Sequence, residues 1–305
     1  MKVSIILSAI LVLTIINASN AQTAVLFNGV ELGESLQSVK AKMRPFAGKL
    51  ALFEVENPTF PLSKDLEAHL VLTNYKSKYG TIAELVCTFA DDKLVYIEAL
   101  GNAVEAMTAK RKDTAQAYMD YMFYPSDFII AKPAEDKVWI VTEEALHPNL
   151  FAWDNPYLPS NKEFKKSYNP SVRIPDFITM GDSLYKLRPN LEKESAFTNS
   201  MELDGSDPNA QLQIDCFGIE YGGFPRKFEA RFGDGKLNVL WILTGKGEED
   251  RMRQKLISEY GQVIFKNDNW EVFNDWQVLL RKDKPEVLML TKELAVFYKR
   301  DYFKQ

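Results

Sequence analysis

The chain is poor in the side chains on which much protein chemistry depends. Its 305 residues include only two histidines and two cysteines, which excludes a disulfide-dense scaffold and leaves a His/Cys zinc site short of ligands. It contains no His-Glu-x-x-His, no paired Cys-x-x-Cys and no glycine-rich phosphate cradle. Charge of one sign is also scarce: 37 basic and 42 acidic residues give a net charge of −5, with no block of five like charges. Nothing in the overall charge selects nucleic acid or an anionic surface as a partner. No catalytic residue, metal or cofactor is therefore expected. What is present, 46% hydrophobic, 12% aromatic and 26% charged residues, is the composition of a folded globular protein.

The N-terminus reads as an address. Lys2 precedes the largely apolar run Val3 to Ile16, then Asn17-Ala18-Ser19-Asn20-Ala21, with the small residues Ser19 and Ala21 at −3 and −1 of a cleavage site. The run is shorter than the ~20 residues of a spanning helix, and no later run reaches that length. Residues 1–21 read as a signal peptide, and the mature chain as exported to the periplasm or beyond, without an integral membrane segment. Gln22 at the cut, in place of Cys, gives no site for lipid attachment.

Self-comparison gives the architecture. Leu32-Gly33-Glu34-Ser35-Leu36 recurs as Met180-Gly181-Asp182-Ser183-Leu184, and Leu36, Val39 and Met43 match Leu184, Leu187 and Leu191 at helical spacing. Phe89-Ala90-Asp91-Asp92-Lys93-Leu94 recurs as Phe232-Gly233-Asp234-Gly235-Lys236-Leu237, each a two-residue hairpin turn between alternating runs. A second helix is expected after each hairpin, over Ala103–Met122 and Glu248–Tyr260, followed by strands around Val138–Val141 and Trp276–Leu279. Residues 154–175, with Pro156, Pro159, Pro170 and Pro175, read as a linker. The expectation is an α+β fold made by tandem duplication, 22–153 and 176–305, each half running helix, strands, helix, strands.

Several motifs have ordinary explanations. Gly181-Asp182-Ser183-Leu184 spells an esterase signature, but His69 and His147 both precede it, and the first copy places Gly33-Glu34-Ser35-Leu36 at the same point. A glycine turn opening a helix explains both. His69 and His147 could serve a site confined to the first half with Glu67 or Glu143, but they read first as solvated or core-satisfied histidines. Gly222-Gly223 reads as a turn, and Asp204-Gly205-Ser206-Asp207-Pro208-Asn209 as a polar turn in place of a calcium loop. Cys87 and Cys216 fall on apolar strand faces, as buried thiols or as a bridge between the halves. Phe297-Tyr298 and Tyr302-Phe303 form an aromatic tail that reads as a closing strand or a ligand-stacking strip.

Regular alternation through the hairpins places Leu85, Cys87, Phe89, Leu94 and Tyr96 on one face, matched by Phe228, Ala230, Phe232, Leu237 and Val239. The other face is half apolar, carrying Val86, Val95, Ile97, Leu240 and Ile242. These five are the candidate binding residues: either the halves pack on this face or a partner does.

The order of a Gly-acidic-Ser-Leu helix start and a strand pair ending Phe-x-Asp-x-Lys-Leu, duplicated in tandem, resembles the β-lactamase-inhibitor-protein fold and small outer-membrane assembly lipoproteins of the SmpA/OmlA type. The matching stretches are Gly33–Met43 with Leu85–Ile97, and Gly181–Leu191 with Phe228–Ile242. A long helix after the hairpin and the missing lipobox cysteine depart from those families. The resemblance implies a non-catalytic binder of another protein. The sequence thus points to an exported protein that binds an envelope or extracellular protein through a sheet surface. A carboxylate-dependent hydrolase of an envelope polymer, or a small-ligand binder between the halves, are the alternatives.

Overall fold

The computed structural model describes residues 27–108, 111, 114–160 and 170–305. The signal-peptide reading, on residues 1–21, lies outside the described residues. The first half opens on helix α1 (Leu36–Met43), followed by strands β1 (Lys49–Val55), β2 (Glu67–Ser77), β3 (Gly80–Ala90) and β4 (Lys93–Leu100), helix α2 (Ala103–Thr108), and strands β5 (Gln116–Tyr118), β6 (Tyr121–Tyr124), β7 (Ile129–Lys132) and β8 (Lys137–Val141). The second half repeats the succession. Helix α3 (Leu184–Glu194) precedes β9 (Phe197–Glu202), β10 (Leu212–Tyr221), β11 (Phe224–Gly233) and β12 (Lys236–Leu243). Helix α4 (Glu249–Tyr260) precedes β13 (Phe265–Lys266), β14 (Trp270–Phe273), β15 (Val278–Arg281) and β16 (Glu286–Leu290), and helix α5 (Lys292–Phe297) closes the chain.

Each half forms one eight-stranded antiparallel sheet. The orders are β1-β2-β3-β4-β8-β7-β6-β5, sheet A, and β13-β14-β15-β16-β12-β11-β10-β9, sheet B. Counted from the start of each half, the two orders are the same. The fold is thus a two-module α+β arrangement, each sheet preceded by its helix.

The two recurring motifs are contacts of each other. Gly33 and Gly181 take φ of +87° and +85°, a region glycine enters without penalty. Their amides donate to the carbonyls of Leu94 and Leu237 at 2.7 and 2.8 Å, and the Leu94 and Leu237 amides donate back to Glu34 and Asp182, at 2.9 Å each. Ser35 and Ser183 then cap the helices, accepting from the Ser38 and Lys186 amides. Ser183 is a helix cap, which is the chemistry its motif serves here. The helix start and the hairpin recur together because each closes the other's backbone hydrogen bonds.

Both hairpins turn in two residues of positive φ, Asp91-Asp92 and Asp234-Gly235. Two residues later each sheet carries a bulge: Val95 is the unmatched residue between Leu94 and Tyr96, and Asn238 between Leu237 and Val239. An extra residue inverts the alternation beyond it. Ile97 and Ala99 therefore join Leu85, Cys87, Phe89 and Leu94 beneath α1, and Leu240 and Ile242 join Phe228, Ala230, Phe232 and Leu237 beneath α3 and α4. This corrects the faces read by regular alternation, in which Tyr96 and Val239 took those inner places. Cys87 and Cys216 are free and lie in separate cores.

A second correction concerns residues 103–122. The alanines there suggest one long helix, but α2 ends at Thr108, and Tyr118 and Tyr121 flank a two-residue hairpin turn between β5 and β6. Aromatics on a pleated edge outweigh alanine's helix propensity. Glu249–Tyr260 is helical as expected, ending at Gly261 with φ +84°. Among the described residues no helix is long and apolar enough to cross a membrane.

Candidate functional site

On β2, alternation sends Ala68, Leu70 and Leu72 into the core and turns Glu67, His69 and Val71 to the outer face of sheet A. Beside them lie Thr88 and Val86 on β3, Tyr96 and Glu98 on β4, and Lys137 and Trp139 on β8. This is the face the sequence leaves half apolar, and a strap of the chain itself, residues 153–160, covers it. Trp153 packs on Phe60, Tyr96 and Phe224, with ring centroids 5.0 to 5.4 Å away. Asp154 pairs with Lys137 at 2.8 Å. Asn155 donates to Thr88 Oγ1 at 3.1 Å, Tyr157 stacks on His69 at 4.2 Å and 20°, and Leu158 packs on Val71 and Val86. The Ser160 amide donates to Glu84 at 2.9 Å. The start of the expected linker is thus held on sheet A. Its far end is held by module two, where Gly222 and Tyr260 donate to the Ser171 and Val172 carbonyls.

The strap closes over two polar clusters. In the first, His69 Nε2 lies 2.8 Å from Glu67 Oε1 and Nδ1 lies 3.0 Å from Thr88 Oγ1. Burial would raise the Glu67 carboxyl, but His69 and the Phe60 and Thr59 amides hold it below its usual value. Carboxylate, imidazole and hydroxyl stand in the order of an acyl-transfer triad. Here Glu67 is 3% exposed and His69 and Thr88 are 0% exposed, and Asn155 occupies the hydroxyl. With the strap docked Thr88 is closed to solvent, and its hydroxyl holds Asn155 of the strap.

In the second cluster Glu98, wholly buried, accepts from Tyr96 at 3.2 Å and lies 3.4 Å from Lys137. Burial pushes its pKa up to about 7 against the pull of Lys137, with Asp154 adding to the rise. A carboxyl poised near neutrality is the signature of a general acid, but this one is sealed under Lys137 and the strap.

The modules meet around Phe60, Trp153 and Phe224. Arg251 on α4 reaches across to the Pro58 and Ser63 carbonyls at 3.0 and 3.2 Å, while Glu67 accepts from the Thr59 and Phe60 amides at 2.6 and 2.9 Å. The loop between Pro58 and Ser63 is gripped at its amides by one module and at its carbonyls by the other. His147 lines a cavity of about 20 Å³ at this junction with Pro61, Asn149, Phe224 and Lys246, room for about one water. Burial, and then the nearby Arg226 charge, push its pKa down to about 4.

All five candidate binding residues are buried. Val86 and Val95 face outward from sheet A as expected but lie under the strap and the module junction, 0% and 9% exposed; Ile97, Leu240 and Ile242 are in the cores. Of the histidine-carboxylate combinations, His69 with Glu67 is formed. Their spacing of two on a strand was the available signal. Thr88 and Asn155 carried none, because only the tertiary fold brings them to the ring. Asp204 and Asp207 cap their own turns, accepting from the Ser206 and Asn209 amides. No group of three or more metal-ligating side chains is assembled among the described residues.

Comparison with protein-family models, with curated proteins and with solved structures finds no match.

Proposed function

We propose that this is an exported, non-catalytic protein, built by tandem duplication, that captures another envelope or extracellular protein by adding a strand of the partner to the open edge of sheet A. The shared strand order and the repeated pairing of helix start and hairpin support the duplication. The observation that carries the binding reading is strand β1. It is seven residues long, pairs among the described residues only with β2, and reads Lys-Leu-Ala-Leu-Phe-Glu-Val. It has no proline, and its two charges stand near its ends. An apolar edge of that length, with no strand paired to its outward side among the described residues, is what proteins otherwise shorten, charge or cover, and it is a template for an extended segment. Phe53, 37% exposed, marks its outer surface.

The Gly48 amide donates to the Thr73 carbonyl of β2, whose register partner is Lys49, so Lys49, Ala51, Phe53 and Val55 face β2 and alternation turns the Glu54 amide outward. Glu54→Pro deletes that donor, whereas Glu54→Ser keeps it. Tagged chain from Gln22 is used to retain partners from envelope and medium fractions, with mass spectrometry of what is held. A stoichiometric protein retained by the parent and by Glu54→Ser, and lost by Glu54→Pro, is the expected result. Equal retention by all three forms would remove β1 as the site. Turnover of an envelope polymer by the purified chain, lost on a single Asp or Glu substitution, would instead put the carboxylate-hydrolase reading ahead.

A further inference from the structure

The aromatic tail is helical, which corrects the closing strand read from the sequence. Thr291 caps α5, its hydroxyl accepting from the Leu294 amide, and a widened π turn, Tyr298–Tyr302, carries the helix on. The inward side is fully employed on the outer face of sheet B. Leu294 and Ala295 are buried with Trp270 and Trp276, and Phe303 meets Phe265, Trp270 and Trp276 at centroid distances of 5.3 to 5.7 Å.

Among the described residues the outward side has no such cover. Val296, Phe297 and Tyr302 are 60%, 48% and 59% exposed, three of the eight exposed large hydrophobics among the described residues, gathered within seven positions. Around them stand four basic residues, Lys292, Lys299, Arg300 and Lys304, against Glu293 and Asp301, and Asp301 is tied to Arg300. A chain of net charge −5 therefore carries a surplus of two positive charges on its most apolar exposed stretch. That surplus argues against a second copy as the occupant, since twofold packing would set like charge on like. The apolar side chains also stand out from the helix instead of lining a groove, which argues against a bound peptide. A flat anionic surface satisfies both features: aromatic and aliphatic tips enter the boundary of headgroup and acyl chain, and the lysines and arginine meet phosphates.

We propose that the outward side of α5 and its π turn is a peripheral docking face for an anionic lipid surface. Chain from Gln22, which keeps every described residue, is sedimented with vesicles of phosphatidylcholine alone or of phosphatidylcholine with phosphatidylglycerol. The parent should sediment with the anionic vesicles, less so in high salt, and not with the neutral ones. Phe297→Ser and Arg300→Glu should each weaken this by about fivefold or more, while Tyr185→Ser, at a side chain 92% exposed elsewhere, should not. Thermal melts show whether a variant remains folded, and Val296→Ser replaces Phe297→Ser if it does not. No sedimentation of the parent, or sedimentation that ignores both lipid charge and these variants, overturns the proposal. Self-association without vesicles that Phe297→Ser abolishes would also overturn it, assigning the face to a second copy.

Discussion

Arg226 and Glu248 form a two-pronged ion pair, 2.5 and 2.9 Å between nitrogens and oxygens, with both side chains wholly removed from water. Arg226 also donates to the Tyr221 carbonyl at 3.1 Å, and Glu248 accepts from Arg251, the residue that grips the other module. A buried pair adds little over an apolar one, yet stranding one partner is expensive. Arg226→Met should therefore cost about 3–5 kcal/mol in urea unfolding at neutral pH. Adding Glu248→Gln should recover a large part, because the amide leaves no stranded charge. A loss below about 1 kcal/mol in the single variant would show that Arg251 alone suffices for Glu248.

Two buried carboxyls should give the stability curve opposite slopes. Burial alone would raise Glu248, but Arg226, then Arg251 and the Gly245 amide, bring it down to about 2 from 4.5. Its folded form stays ionised where the unfolded chain takes up a proton. Its contribution, about 3 kcal/mol, is present above pH 4.5 and is lost as pH falls toward 2. His147, lowered to about 4 from 6.5, adds to the loss on acidification between those values. Glu98, raised to about 7 from 4.5, acts the other way, since the folded state holds a proton the unfolded state has released. It weakens the fold as pH climbs from 4.5 to 7. Denaturation measured across pH should show Glu98→Gln removing the second slope while leaving the acid limb, which Glu248→Gln should flatten. A Glu98→Gln curve parallel to the parent's above pH 4.5 would contradict the assignment.

The strap should be separable from the sheets. Asn155→Ala leaves the Thr88 hydroxyl without its donor inside a buried cluster, a cost of about 1–3 kcal/mol, and Tyr157→Ala uncovers the face of His69. Both should raise amide exchange and proteolysis within residues 153–160 while β2 and β3 stay protected by their ladders. Exchange that rises equally across sheet A would mean the strap is part of the global unit and not a cover on it.

The helix starts, the two-residue hairpins, α4 and the repeating succession were legible because each rests on a local rule: a cap, a turn, a 3.6-residue period. The outer face of sheet A was legible in part. Val86 stands where alternation puts it, but the partner that buries it, Leu158, sits in a segment that proline content marks as a linker. Thr88 could not be singled out, since a threonine on a strand is unremarkable until His69 and Asn155 are brought to it. The tail from Phe297 to Phe303 was read by its aromatics as strand, whereas the Thr291 cap and the burial of Leu294 and Ala295 decide for helix.

Sheet faces failed for a single reason, the residue inserted at Val95 and again at Asn238. No side-chain pattern announces the bulge: Leu94-Val95-Tyr96-Ile97 is apolar at every position, so either register buries something. Deleting Val95 should restore an unbroken ladder in which Leu94 still stands opposite Phe89 and Tyr96 opposite Thr88, so Ile97 and Ala99 stay in the core and Glu98 stays on the outer face. The first module should therefore still fold, seen as retained dispersed amide resonances from sheet A. Val95→Ala keeps the register and removes only a side chain that is 9% exposed, so it should cost about 1–2 kcal/mol and preserve the spectrum. If the deletion abolishes folding while the alanine variant folds, sheet A requires the local twist of the bulge and not only the choice of face.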